Sequence, residues 1–189
     1  MRWQQLFDDL EAQLEAGDAT ALAGEVADRT RYERAQIELA DRLVAATGQR
    51  VVLHLTGGST SDGTLVEVAQ QWCLMAAPGP LLVPLHALVS ITGLGGAAVT
   101  VGRDGVRRRT SLVSTLRAVA RDRSPVQIGL ADGSVLGGTL DVVGADHVDL
   151  AEHEADEPRR AGSVRMVRTV PLTALSWLRP AAGSSSLQA

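Results

Sequence analysis

The densest run of side chains able to hold a metal or move a proton is Asp146, His147, Asp149, Glu152, His153, Glu154, Asp156 and Glu157. On an extended strand His147 and Asp149 project from one face, the geometry that two ligands of one ion need. No third ligand stands at a fixed spacing, so the run reads as a strand edge leading into an acidic hairpin tip. Cys73 stands alone at an inward strand position with no base placed beside it, and reads as a small hydrophobe and not a nucleophile. His54 occupies an outward strand position without a fixed Asp partner. Gly93-Leu94-Gly95-Gly96 has the composition of a phosphate loop, but such loops aim N–H groups from the start of a helix, and no helix follows. It reads as a linker. No catalytic residue, cofactor or metal is expected, and an enzyme is the least favoured class.

Two other features point to partners. Trp72 lies next to Cys73 and Met75, which take the inward parity of their strand, so Trp72 is expected to face outward. There it covers either an interface, where Trp buries large area, or the underside of the N-terminal arm of its own chain. Arg103, Arg107, Arg108, Arg109, Arg117, Arg121 and Arg123 face only Asp104 and Asp122 over residues 103–123. Residues 1–48 show the reverse balance, ten acids against five Arg, within a chain of net charge −4. The Arg cluster could contact nucleic-acid phosphates, yet no aromatics for base stacking lie nearby. Docking on the acidic arm explains the same charges.

These residues are positioned by a pattern written twice. Val51, Leu53, Leu55, Gly58, Ser59, Gly63, Thr64, Leu65 and Val68 recur 75 positions later as Val126, Ile128, Leu130, Gly133, Ser134, Gly138, Thr139, Leu140 and Val143. Arg42, Val44 and Ala45 match Arg117, Val119 and Ala120 in the same register. Val83-Pro84-Leu85 with Ala87-Leu88 returns 87 positions later as Val170-Pro171-Leu172 with Ala174-Leu175, so the second copy carries a twelve-residue insertion within 152–168. One supersecondary unit has been duplicated. Alternating apolar residues predict strands over 51–55, 64–68, 72–75, 81–83 and 88–91, and Pro125 restarts the same five.

Upstream, Trp3, Leu6, Phe7, Leu10 and Leu14 follow helical spacing up to Gly17. Asp18 then caps a second helix that runs toward Ala46, is ended by Gly48 and is laced with the pairs Glu25–Arg29, Arg29–Glu33, Arg34–Glu38 and Glu38–Arg42. The expected organisation is a helical arm over 1–48, a first strand unit over 49–93, a Gly/Arg-rich linker over 94–110, a helix plus second strand unit over 111–180, and a disordered tail over 181–189.

Hydrophobic content of 45% and charged content of 21% suit a globular chain, while aromatics at 3% leave Val, Leu and Ala to build the core. All 18 basic residues are Arg, a GC-rich codon signature. No run of about 18 apolar residues and no basic-apolar leader stands in the sequence, and the lone Cys73 cannot form an internal disulfide, so a cytoplasmic location is expected.

A helix followed by five short strands, with a one-turn helix before the last and the Gly-x-Leu elements Gly63-Thr64-Leu65 and Gly138-Thr139-Leu140, resembles the Sm/LSm-like, SH3-like small β-barrel superfamily. The duplication and arm also resemble a set of uncharacterised proteins of high-GC Gram-positive bacteria. The resemblance implies a mainly β fold with some α: the arm followed by two tandem five-stranded small barrels. It also implies RNA binding, but the superfamily's Asp-x-aromatic-x-Asn would fall on Ala69, Gln71 and Cys73 and on Gly144, Asp146 and Val148, and neither set matches. The expected function is a non-enzymatic protein-interaction or scaffolding module, binding a protein partner or self-associating through barrel edges and arm. The alternative is an Sm-like RNA-binding regulator using residues 103–123. No membrane partner is expected.

Overall fold

The computed structural model describes residues 31, 32, 35–99, 110–153 and 166–181. Residues 1–30, 33 and 34 of the expected arm, residues 100–109 of the linker, the inserted hairpin tip at 154–165 and the tail from 182 lie outside the described residues. The second helix, expected to run on toward Ala46, is interrupted at 36–38 and helix resumes at Leu39. By its contacts the chain divides into residues 1–38 and 39–189. In the first unit only 31, 32 and 35–38 are described, with Arg31 and Tyr32 helical and exposed. Everything below concerns the second.

Helix α1 (Leu39–Ala45) precedes strands β1 (Arg50–Leu55), β2 (Thr60–Val68), β3 (Trp72–Ala76), β4 (Pro80–Pro84) and β5 (Leu88–Thr92). Helix α2 (Leu112–Asp122) precedes β6 (Val126–Leu130), β7 (Val135–Val143), β8 (His147–Glu152), β9 (Met166–Pro171) and β10 (Leu175–Pro180). One-turn 3-10 segments at Leu85–Ala87 and Leu172–Ala174 stand before β5 and β10. Ser111 caps α2 by accepting from the Ser114 N–H, which satisfies one of the donors a helix start leaves unpaired. None of the described helices is long and apolar enough to cross a membrane.

The duplication is visible in the hydrogen-bonded register. β1 sets Val51 opposite Gly63, and β6 sets Val126 opposite Gly138. Both hairpins of the second pair shift register at matching places, between Leu65 and Glu67 and between Leu140 and Val142, where a bulge bends the strand. Glycine is required just before each bulge. A Cβ at Gly63 would run into the Ala76 carbonyl, and one at Gly138 into that of Ala151, so the Gly-x-Leu element marks a close crossing of two backbones.

The tandem barrels expected from the sequence are not what the strands form. All ten belong to one antiparallel, unclosed sheet in the order β5-β1-β2-β3-β4-β10-β6-β7-β8-β9. Closure of each half would pair β4 with β5, and β9 with β10. Instead β4 pairs with β10 at Leu82–Leu178, joining the halves and leaving β5 and β9 as the two ends. Edge backbone groups need partners, and the halves supply them to each other.

Two apolar clusters flank the junction. One gathers Leu43, Val51, Leu53, Leu55, Leu65, Val68, Cys73, Met75 and Val83. The other gathers Leu112, Leu116, Val126, Ile128, Leu140, Val148, Leu150 and Val170, and takes Ala69, Trp72 and Leu82 from the first half. Leu130 and Val143 are half-buried beside it, where their counterparts Leu55 and Val68 are buried. Leu65→Ala and Leu140→Ala should each cost about 2–5 kcal/mol through lost burial and a residual cavity. Val66→Ala, at a half-exposed position of the same strand, should stay within about 0.5 kcal/mol of the parent. Denaturant midpoints at unchanged m-value check the contrast.

Candidate interaction surfaces: the junction and the sheet ends

The junction between the halves is built from apolar exchange and a few backbone hydrogen bonds. Trp72, at the start of β3, is 4% exposed and lies in the second half's core. The outward, accessible position expected for it is not found, because that side chain packs into the second half's apolar core. Its Nε1–H donates to Thr110 O at 3.1 Å, and Gln71 Oε1 accepts the Leu112 N–H at 3.0 Å, tying the start of α2 to the β2–β3 turn. The interface that Trp72 covers is the one inside its own chain. Trp177 makes the reciprocal move, packing from β10 against the first half's core with Arg179 stacked over its ring at 5.0 Å. Two further bonds cross the seam: His86 Nε2–H to Leu175 O at 3.2 Å and Ser176 Oγ–H to Thr56 O at 2.8 Å.

Beside this seam the duplicated turns diverge for a steric reason. In the second half Asp132 accepts from the Ser134 N–H at 2.9 Å and the Ser134 hydroxyl at 2.7 Å, and these bonds, the hydroxyl first, hold its carboxyl below the ordinary carboxylate range. In the first half Gly57 stands at that position with φ +78°, and a Cβ there would lie 2.5 Å from Leu130 O and 2.8 Å from Gly133 N. The close approach of the halves excludes a side chain. Without that carboxylate the Ser59 hydroxyl, the counterpart of Ser134, is buried with no partner among the described residues. It borders a cleft of about 470 Å³ shared by Asp62, Pro78, Trp177 and Arg179.

Of the Arg cluster, Arg103, Arg107, Arg108 and Arg109 lie outside the described residues. Arg117 Nε–H donates to Val143 O at 3.3 Å, Arg123 closes α2 with a left-handed φ of +58° and pairs with Asp141 at 2.9 Å, and Arg121 is exposed on the last turn of α2. Arg117 and Arg123 thus tie α2 to β7.

The acidic-histidine run disperses. His147 pairs with Asp146 at 2.8 Å, which holds the Asp146 carboxyl below its usual range. Asp149 accepts from the Thr169 hydroxyl at 2.6 Å, and Glu152 pairs with Arg168 across β8 and β9. His153, expected where the strand edge leads into the acidic hairpin tip, is instead buried at 5% exposure and shares a 2.7 Å hydrogen bond with Thr139. Among the described residues no three His, Cys, Asp or Glu side chains gather as a metal site. Cys73 is buried, and desolvation pushes its thiol up to about 12.

Among the described residues, β5 and β9 end the sheet with one strand neighbour each. β5 exposes Val89 at 67%, beside a groove of about 230 Å³ bordered by Leu39, Arg42, Ile91 and Leu94. β9 exposes Met166 at 51% and Val167 at 55%. Their presence as strands was legible; their status as ends was not, because it follows from the β4–β10 pairing.

The chain matches no protein-family model and no curated protein, so its chemistry rests on this geometry alone.

Two outcomes test the site description. Gly57→Ala should destabilise the fold clearly more than Gly58→Ala: both have positive φ, but only Gly57 faces backbone atoms, so the difference in unfolding free energy isolates the contact between halves. The Cys73 thiol should resist a disulfide reagent at neutral pH in the native protein and react stoichiometrically in denaturant.

Proposed function

We propose that the chain is a non-enzymatic interaction module whose partner adds to an open end of its sheet. One observation carries this reading: β5 and β9 each have a single strand neighbour among the described residues, and both carry exposed apolar side chains. An unpaired strand edge presents a ladder of N–H and C=O groups that a protein segment can complete, with flanking apolar residues adding burial. A cytoplasmic setting goes with the reading, since a lone cysteine leaves no internal disulfide for an oxidising compartment to form. The charge supports a protein partner over RNA: the net charge is −4, and Arg117 and Arg123 are engaged within the fold.

The test is photo-crosslinking in the native host from p-benzoylphenylalanine placed at Val89 or at Val167, with exposed Ala118 on α2 as the control position. Protein adducts concentrated at 89 and 167 are the expected result. Absence of adducts at both, or salt-sensitive binding of generic RNA that is lost on replacing Arg107, Arg108 and Arg109 by Ser, would overturn the reading.

A further inference from the structure

The two open ends are not arbitrary surfaces, because the molecule already contains the joint that would unite them. Through the repeat, β9 is the second half's copy of β4, and β5 is the first half's copy of β10. Inside the chain a β4-type edge is paired with a β10-type edge. What remains at the ends is one edge of each type. Resting on the interaction reading above, the geometry points to a specific partner: a second copy of this chain, joined head to tail with β9 of one copy against β5 of the next.

Transferring the internal seam by the repeat offsets assigns the contacts. Leu82 opposite Leu178 becomes Thr169 opposite Ile91. The bond from His86 to Leu175 O becomes a Thr173 hydroxyl at Leu88 O, and Ser176 at Thr56 becomes Val89 at Ala131. The residue types suit the task without copying it. Val89, Ile91 and Val167 supply apolar area, Thr173 supplies a donor, and the Arg168 charge at the edge is already neutralised by Glu152.

One position sets the strength of the joint. Where Gly57 allows the inner turns to touch, the transferred contact has Asp132, whose side chain occupies the space that Gly57 leaves to Leu130 O. The outer joint therefore closes less tightly than the inner one, and the association is reversible and concentration-dependent. Such a contact is heterologous: each copy uses two different surfaces, and the assembly ends only if the rotation per joint closes on itself.

The experiment is sedimentation of the full purified chain over a dilution series, with four proteins. The parent should rise from its monomer mass of 19.8 kDa to about twice that or more as concentration increases. Asp132→Gly, which gives the outer joint the residue the inner one uses, should shift the midpoint to lower concentration. Val89→Glu and Val167→Glu, both at exposed positions and checked for native circular dichroism, should each remain monomeric alone. Mixed one to one, they should form dimers and nothing larger, since the mixture retains a single usable pair of ends. Persistent association of either Glu variant alone would overturn the head-to-tail joint. A monomer at every concentration for the parent and Asp132→Gly alike would overturn the second copy as partner; adducts to other proteins at positions 89 and 167 would then still uphold the interaction reading.

Discussion

The pairing of β4 with β10 is the constraint on which the rest of the structure depends. A five-stranded ribbon of this length offers two rows of unpaired backbone groups and too little apolar area to be secure alone. Joining one edge from each half hides half of those rows and fuses two small cores along a shared wall. The wall is reinforced by exchange, with Trp72 sent into one core and Trp177 against the other. Each half thus lacks something that only the other supplies, and the seam behaves as interior.

Several differences between the two copies fall at that seam. Trp72 corresponds to His147, Leu82 to Thr169, Trp177 to Ser90 and Gly57 to Asp132. Away from it, Val51 and Val126, Leu53 and Ile128, and Leu65 and Leu140 retain type and burial. Selection for packing explains the conserved pairs. The divergent ones have different neighbours: an inner strand has a strand on each side, while an end strand has one strand neighbour among the described residues.

This distribution also explains what could be read from the sequence. Strand positions, the one-turn helices and the equivalence of the halves follow from period-two patterning and Gly or Pro punctuation, all local signals. The sheet order depends on Leu82 meeting Leu178, a contact between positions far apart that no local pattern encodes. Alternation puts Trp72 outward because it assumes one wet face, whereas β3 is covered on both sides. A signal of this was present: Trp72-Cys73-Leu74-Met75 and Leu81-Leu82-Val83 are unbroken apolar runs, the mark of strands buried on two faces. His153 was misjudged for the opposite reason, since its acidic neighbours masked a side chain that turns in to meet Thr139.

The place of β10 in the chain has a consequence for biosynthesis. The strand that sits at the middle of the sheet is made after the other nine described strands. Roughly a hundred residues separate it from β4, so at about 5–20 residues per second the ribosome leaves the β4 edge bare for about 5–20 s. During that interval the nascent first half already carries β5 and an uncovered β4, and neighbouring chains on one message present matching edges to each other. Pro80 and Pro84 bracket β4, and a residue without an N–H is a poor template for a stray strand. The prolines thus leave β4 fewer N–H groups to offer while its partner strand is still being made.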